Sequence, residues 1–181
     1  MGKKDIKRAN KILEDYRQNL LRELDSLYHV LECSLGNYDF MIDFAIKKGF
    51  ERIVDIGCAY GHQSELCNGR IRYLGINENE VDFYKNGTRK IIYDAEKYPF
   101  PNFYNYFKDD LAISNLAIGW NCYGDDKDHL KHFKALKNDF KACLLYIPKD
   151  REELLKKVFE NIEIVKQDDD KALPTAFYYC Y

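Results

Sequence analysis

Three small residues spaced two apart, Gly57, Ala59 and Gly61, follow the short apolar run Ile53-Val54-Asp55-Ile56. The run is too brief for a helix and suits a buried parallel strand. Gln63, Ser64, Glu65 and Leu66 then read as the start of a helix. A strand, a bare turn and a helix N-terminus together leave a concave main-chain surface against which an extended ligand can lie. Small side chains are needed at 57, 59 and 61 because a branch at Cβ would hold that ligand off the backbone. The chemistry such a turn serves is cofactor binding, and its spacing separates one cofactor class from another. A dinucleotide fingerprint, Gly-x-Gly-x-x-Gly, requires a glycine at position 62, where this chain has His62.

Other reactive residues form weaker patterns. Cys58, His62 and Cys67 cluster in sequence, but their spacing matches no zinc site. His129 and His132, three apart on an expected helix, fall short of a metal set and read as surface residues. The run Asp168-Asp169-Asp170 lacks calcium-loop spacing and reads as a solvated turn. Metal ligands are therefore not expected.

The elements that position the glycine turn follow from periodicity. Residues 5–33 carry Ile6, Ala9, Leu13, Tyr16, Leu20, Leu24, Leu27 and Leu31 at intervals of three and four, which predicts a long amphipathic helix. Gly36-Asn37 is expected to end it and to cap a second helix with Met41, Ile42, Ala45 and Ile46 on one face, stopped by Gly49. After the turn, a short helix must end at Asn68-Gly69. Further strands are expected at 71–76, 90–93, 110–115 and 142–147, with Pro148 ending the last of these. Helices are expected from Asp125-Asp126 to about Asn138 and from Arg151 to Glu160. Residues 162–165 and 176–181 are then two strands with no room for a helix between them, hence an antiparallel hairpin. Five strands alternating with helices, then a hairpin, predict an α/β fold: a doubly wound, seven-stranded mixed sheet with its last strand antiparallel, preceded by N-terminal helices. The expected division is a helical extension over 1–49 and the sheet domain over 50–181.

The acidic-x-Gly-x-Ala-x-Gly stretch from Asp55 to Gly61 resembles the first motif of the class I S-adenosylmethionine-dependent methyltransferases, with Ala59 replacing the middle glycine. By motif order and topology the resemblance covers roughly residues 50–181, and it implies a Rossmann-like fold and S-adenosyl-L-methionine as cofactor. It places Asp55, Gly57, Cys58, Ala59 and Gly61 around that cofactor. Asn77 stands where the family usually has a ribose-binding Asp or Glu, with Glu78 next in line to replace it. An amide oxygen accepts a weaker hydrogen bond than a carboxylate. Asp94, followed by Ala95, matches the position that receives the adenine amino group; the other reading of Asp94 is a turn cap. Ser114-Asn115-Leu116 matches the place where substrate meets the methyl donor, and Asn115 joins the cofactor-binding set. The wording SNLAIGW lacks the Asp/Asn-Pro-Pro-Tyr/Phe of DNA and protein amide methyltransferases, and is more similar to enzymes acting on small-molecule or carrier-bound carboxylates.

The expected chemistry is in-line transfer of an activated methyl group, in which the protein's first task is to hold donor and acceptor in reacting geometry. An acidic oxygen needs no strong base. For an amine or hydroxyl acceptor, His62 and Asp125 are the candidate bases, and no catalytic residue is assigned. The alternative is a catalytically silent cofactor-binding or partner-binding module. With 181 residues, 46% hydrophobic content and a net charge of −2, the chain suits a globular domain without an electrostatic case for nucleic acid. No signal peptide or membrane-length apolar run is seen, and the six scattered cysteines suit reduced thiols in the cytoplasm. The N-terminal helices are read either as a cover for the sheet or, for the first of them, as a lid over the cleft or a homodimer seam.

Overall fold

The computed structural model describes residues 25–58, 63–77, 89–92, 107–115, 117–119, 125–169 and 173–181. Helix α1 (Asp25–Lys47) leads into β1 (Arg52–Ile56), the short α2 (Ser64–Cys67), β2 (Arg72–Asn77), β3 (Arg89–Ile92) and β4 (Leu111–Asn115). Then come α3 (Asp126–Asp139), β5 (Ala142–Pro148), a 3-10 turn (Lys149–Arg151), α4 (Glu152–Lys156), β6 (Ile162–Asp168) and β7 (Thr175–Cys180). The strands form one seven-stranded sheet in the order β3-β2-β1-β4-β5-β7-β6. Strands β1 to β5 pair in parallel, and β7 runs antiparallel between β5 and β6. The order reverses between β1 and β4, whose next strands lie on opposite sides. In open α/β sheets ligands bind at such a crevice, beyond the carboxyl ends of the strands.

Period-two alternation sorts the strands' side chains between two apolar layers. Cys143, Leu145 and Ile147 of β5 join Phe133 and Leu136 of α3 and Leu154 and Leu155 of α4. Leu144 and Tyr146 of the same strand join Leu35, Met41, Ile42 and Ala45 of α1 and Leu66 of α2 on the other face. On β1, Ile53 belongs to the α1 layer and Val54 to the α3 layer, so Asp55 points toward α1 and α2.

Helix α1 differs from the expected pair of helices: it runs unbroken through Gly36-Asn37. Glycine in a helix interior costs about 1 kcal/mol, whereas burying Met41 or Ile42 contributes about 2 kcal/mol each. Gly36 is exposed, and its missing side chain faces open space. The buried stripe of Ser34, Leu35, Asn37, Tyr38, Met41, Ile42 and Ala45 therefore carries the helix across it. Ile46, expected on that stripe, is 42% exposed. The helix stops where expected: Gly49, at φ 81, lets the N–H groups of Gly49 and Phe50 reach back to the carbonyls of Ile46 and Ala45. Residues 5–24 of the expected first helix lie outside the described residues.

Asp125 caps α3 by accepting from the N–H groups of Lys127 and Asp128, and the Asp128 carboxylate accepts from the N–H of Asp125 in return. The helix expected over 151–160 is shorter, since Leu155 O accepts from both Val158 and Phe159 N–H and tightens its end. Asp168 is the last residue of β6, and Asp169 just beyond it is ion-paired with Lys149.

At the foot of the parallel sheet, Arg52 of β1 pairs with the nearly buried Asp110 just before β4, and its guanidinium lies 5.7 Å from the Phe107 ring centroid. Asp110→Ala leaves Arg52 partly buried without that partner, and the expected cost is about 2 kcal/mol. Urea denaturation at low and at 1 M salt checks this; a loss below about 0.5 kcal/mol at both would mean that water replaces the carboxylate.

Candidate functional site

Where β1 ends, Gly57 adopts φ 79, the left-handed conformation that glycine enters without strain. The N–H groups of Gly57 and Cys58 both donate to Ile76 O, at 2.9 and 3.1 Å, which ties the start of the turn to β2. A Cβ on Gly57 would lie 2.3 Å from that of Ala117, so the turn also passes close against the residues after β4. Ser114 reinforces this junction: its hydroxyl donates to Ile56 O at 3.1 Å and accepts from Ile118 N–H at 3.0 Å.

Asp55 is wholly buried beneath this turn, in a layer otherwise lined by apolar and aromatic groups. Three donors converge on it: Gln63 Nε2 at 2.6 Å and Tyr73 hydroxyl at 2.7 Å on Oδ2, and Tyr38 hydroxyl at 3.4 Å on Oδ1. Burial pushes the carboxyl pKa up to about 6, against the lowering effect of those bonds. Burial first, and the Asp55 charge second, push both tyrosines well above their ordinary value, so their hydroxyls stay protonated and donate. Among the described residues no cation pairs with Asp55.

Across the crevice, Asn115 ends β4. It is 6% exposed, and its Oδ1 accepts from Asn37 Nδ2 of α1 at 3.1 Å. The Asn115 amide adjoins the Tyr38 hydroxyl and favours its ionised form, yet Nδ2 makes no hydrogen bond of ordinary geometry. Consecutive residues of α1, Asn37 and Tyr38, thus reach β4 and β1, the two strands that flank the reversal in strand order.

Of the ten residues expected around the cofactor, Asp55, Gly57, Cys58 and Asn115 come together at the carboxyl ends of β1 and β4. Asn77 ends the neighbouring β2, opposite Ile92 of β3. Ala59, Gly61, Glu78, Asp94 and Ala95 lie outside the described residues, as does His62. Asp55 presents no open face, because its oxygens are taken up inside the protein. Asp125, a candidate base, caps α3 as expected, and the Asp128 and Lys127 N–H groups lower its pKa. His129 and His132 are not surface residues: they are 0% and 6% exposed. Their side of α3 carries Phe133 and Leu136 into the core, and burial lowers both pKa values, that of His132 to about 4. Among the described residues no three His, Cys, Asp or Glu side chains are grouped to hold a metal ion.

No role in the site is read from the sequence for Asn37, Tyr38, Gln63 or Tyr73. Tyr38 had a visible signal, its place three and four residues before Met41 and Ile42 on the apolar stripe. Gln63 had none beyond standing two residues after Gly61.

Solved structures share this architecture. The magnesium protoporphyrin IX methyltransferase of Synechocystis PCC 6803, with bound S-adenosylmethionine, superposes with a TM-score of 0.61 at 13% identity over 94% of this chain and 95% of its own. The S-adenosylmethionine-dependent methyltransferase SibL gives 0.58 at 8% identity, over 95% of this chain and 73% of its own. A putative O-methyltransferase of Nostoc punctiforme PCC 73102 gives 0.56 at 8% identity, over 98% and 68%. No family model and no curated protein matches the sequence. The fold is that of the class I S-adenosylmethionine-dependent methyltransferases.

Proposed function

We propose that this protein binds S-adenosyl-L-methionine at the carboxyl ends of β1 and β4 and transfers its methyl group to a small-molecule or carrier-bound acceptor. One observation carries this reading: the positive-φ glycine turn opens off β1 where the strand order reverses, in a fold shared with methyltransferases. Gly57, Cys58, Ala59 and Gly61 would offer main chain to the cofactor, with Asp55 shaping the turn from beneath. Asn77 or Glu78 would hold the ribose, Asp94 and Ala95 the adenine, and Asn115 would stand between cofactor and acceptor. The cofactor supplies an electrophilic methyl on sulfur, and the chain supplies alignment and exclusion of water. The described Cys58, Cys67, Cys143 and Cys180 are buried thiols, which suits a reducing, cytoplasmic setting. Among the described residues no helix is long and apolar enough to cross a membrane.

Isothermal titration with S-adenosylhomocysteine tests the binding half of the proposal, and release of that product from S-adenosylmethionine in the presence of metabolite pools and carrier proteins tests turnover. Absence of heat at millimolar ligand ends the proposal, and binding without turnover leaves the silent binding module. Asn77→Asp is expected to tighten binding by about 1 kcal/mol through a charge-assisted bond to the ribose. Unchanged affinity in the same titration would assign that bond to Glu78.

A further inference from the structure

Gln63 is 2% exposed, although it lies in a polar stretch at the start of a helix of only four residues. Its Nε2 carries two protons and both are used: one donates to Asp55 Oδ2 at 2.6 Å, the other to Cys58 O at 2.8 Å. Cys58 opens the glycine turn and Gln63 closes it. The first end is already held to β2 through Ile76 O. Gln63, the first described residue after position 62, reaches with its side chain back to β1 and to Cys58. Both distances are short, and the Asp55 contact is charge-assisted when that carboxyl is ionised.

We infer that Gln63 is a positioning residue that clasps the glycine turn into its binding shape, and that Asp55 serves as the anchor of this clasp rather than as a contact to the ligand. This rests on the proposal that an adenosyl-sulfonium cofactor lies on the turn. The clasp works because an amide nitrogen gives two hydrogen bonds to two acceptors. A carboxyl group at the same place offers acceptors to acceptors, and the pair closes only while it holds a proton between its oxygens. Among the described residues, the titratable groups facing Asp55 are Tyr38 from α1 and Tyr73 from β2, and no cation pairs with it to relieve a second negative charge.

The test is therefore a change of one functional group read against pH. S-adenosylhomocysteine is titrated into wild type and Gln63→Glu at about pH 8 and about pH 5.5, each variant compared with wild type at the same pH. The expected loss for Gln63→Glu is more than about tenfold in alkali and smaller in acid, where the regained proton restores the bond between the two carboxyl groups but not the one to Cys58 O. Gln63→Met, of similar length but with no donor, is expected to lose affinity equally at both. Equal affinities of Gln63→Glu and wild type at pH 8, or a loss unrelieved by acid, overturn the clasp. Wild type alone gives a second reading that needs neither ligand nor variant: in NMR spectra the Gln63 side-chain amide protons exchange more slowly than those of an exposed glutamine. Ordinary fast exchange overturns the inference, whereas slow exchange with no binding by wild type overturns only the cofactor proposal.

Discussion

Gly57→Val is expected to abolish S-adenosylhomocysteine binding and to lower stability by roughly 3–5 kcal/mol, a large part of the 5–15 kcal/mol typical of a domain. Two costs add. At φ 79 any side chain meets the preceding backbone, for about 1–2 kcal/mol and more when β-branched. The new Cβ would also lie 2.3 Å from Ala117 Cβ, so the ends of β1 and β4 must part, and overpacking of that kind costs about 1–3 kcal/mol. The effect therefore reaches the ligand through the protein's own packing as well as through the space on the turn. Ala117→Gly, placed beside Gly57→Ala, separates the two costs: it removes the colliding methyl and leaves the dihedral strain. The double variant should melt above Gly57→Ala alone. Chemical denaturation and isothermal titration measure both halves, and a Gly57→Val protein with wild-type midpoint and affinity would place the ligand elsewhere and the turn in another conformation.

The periodicities carried most of the architecture, and the reasons differ from element to element. β1, β4 and β5 could be read because strands buried on both faces must be nearly continuous in apolar residues. The hairpin of β6 and β7 could be read because the linker between them leaves no room for a crossover helix. Gly36 misled because local propensity is weaker than a packed stripe, and only the sheet beneath α1 supplies that packing. His129 and His132 misled because spacing of three shows that two side chains share a helix face but not which way the face turns. The site was half legible. Gly57 announces itself, since a bare turn after an apolar strand has few other uses. The partners of Asp55 arrive from α1, α2's start and β2, separated from it by 17, 8 and 18 residues, and no local pattern signals a meeting that exists only after the layers have packed.

Asp55 gives the second large effect, and substitution separates its charge from its shape. Asp55→Ala leaves Gln63 and Tyr73 as buried donors without their acceptor, for an expected loss of about 2–4 kcal/mol. Asp55→Asn keeps an acceptor where Oδ2 stood and turns an N–H group toward Tyr38, whose oxygen can accept it, so the network survives without a charge. The pH dependence follows from the carboxyl's value of about 6 in the fold against its ordinary 3.8. Between those values the unfolded chain has released a proton that the folded chain keeps, so stability falls as pH rises, by roughly 3 kcal/mol in all. His132 has the opposite sign. Its value of about 4 against 6.5 means that the unfolded chain binds the extra proton, and stability rises over nearly the same interval. In wild type the two slopes largely cancel. Asp55→Asn removes one of them, and its stability should climb by about 1.4 kcal/mol per pH unit more steeply than wild type between pH 4 and 6, reaching or exceeding wild type at pH 7. Urea unfolding at half-unit steps of pH gives both curves. Parallel curves, with Asp55→Asn as unstable as Asp55→Ala, would show that the buried carboxylate is held by its three donors as an anion that stabilises the fold.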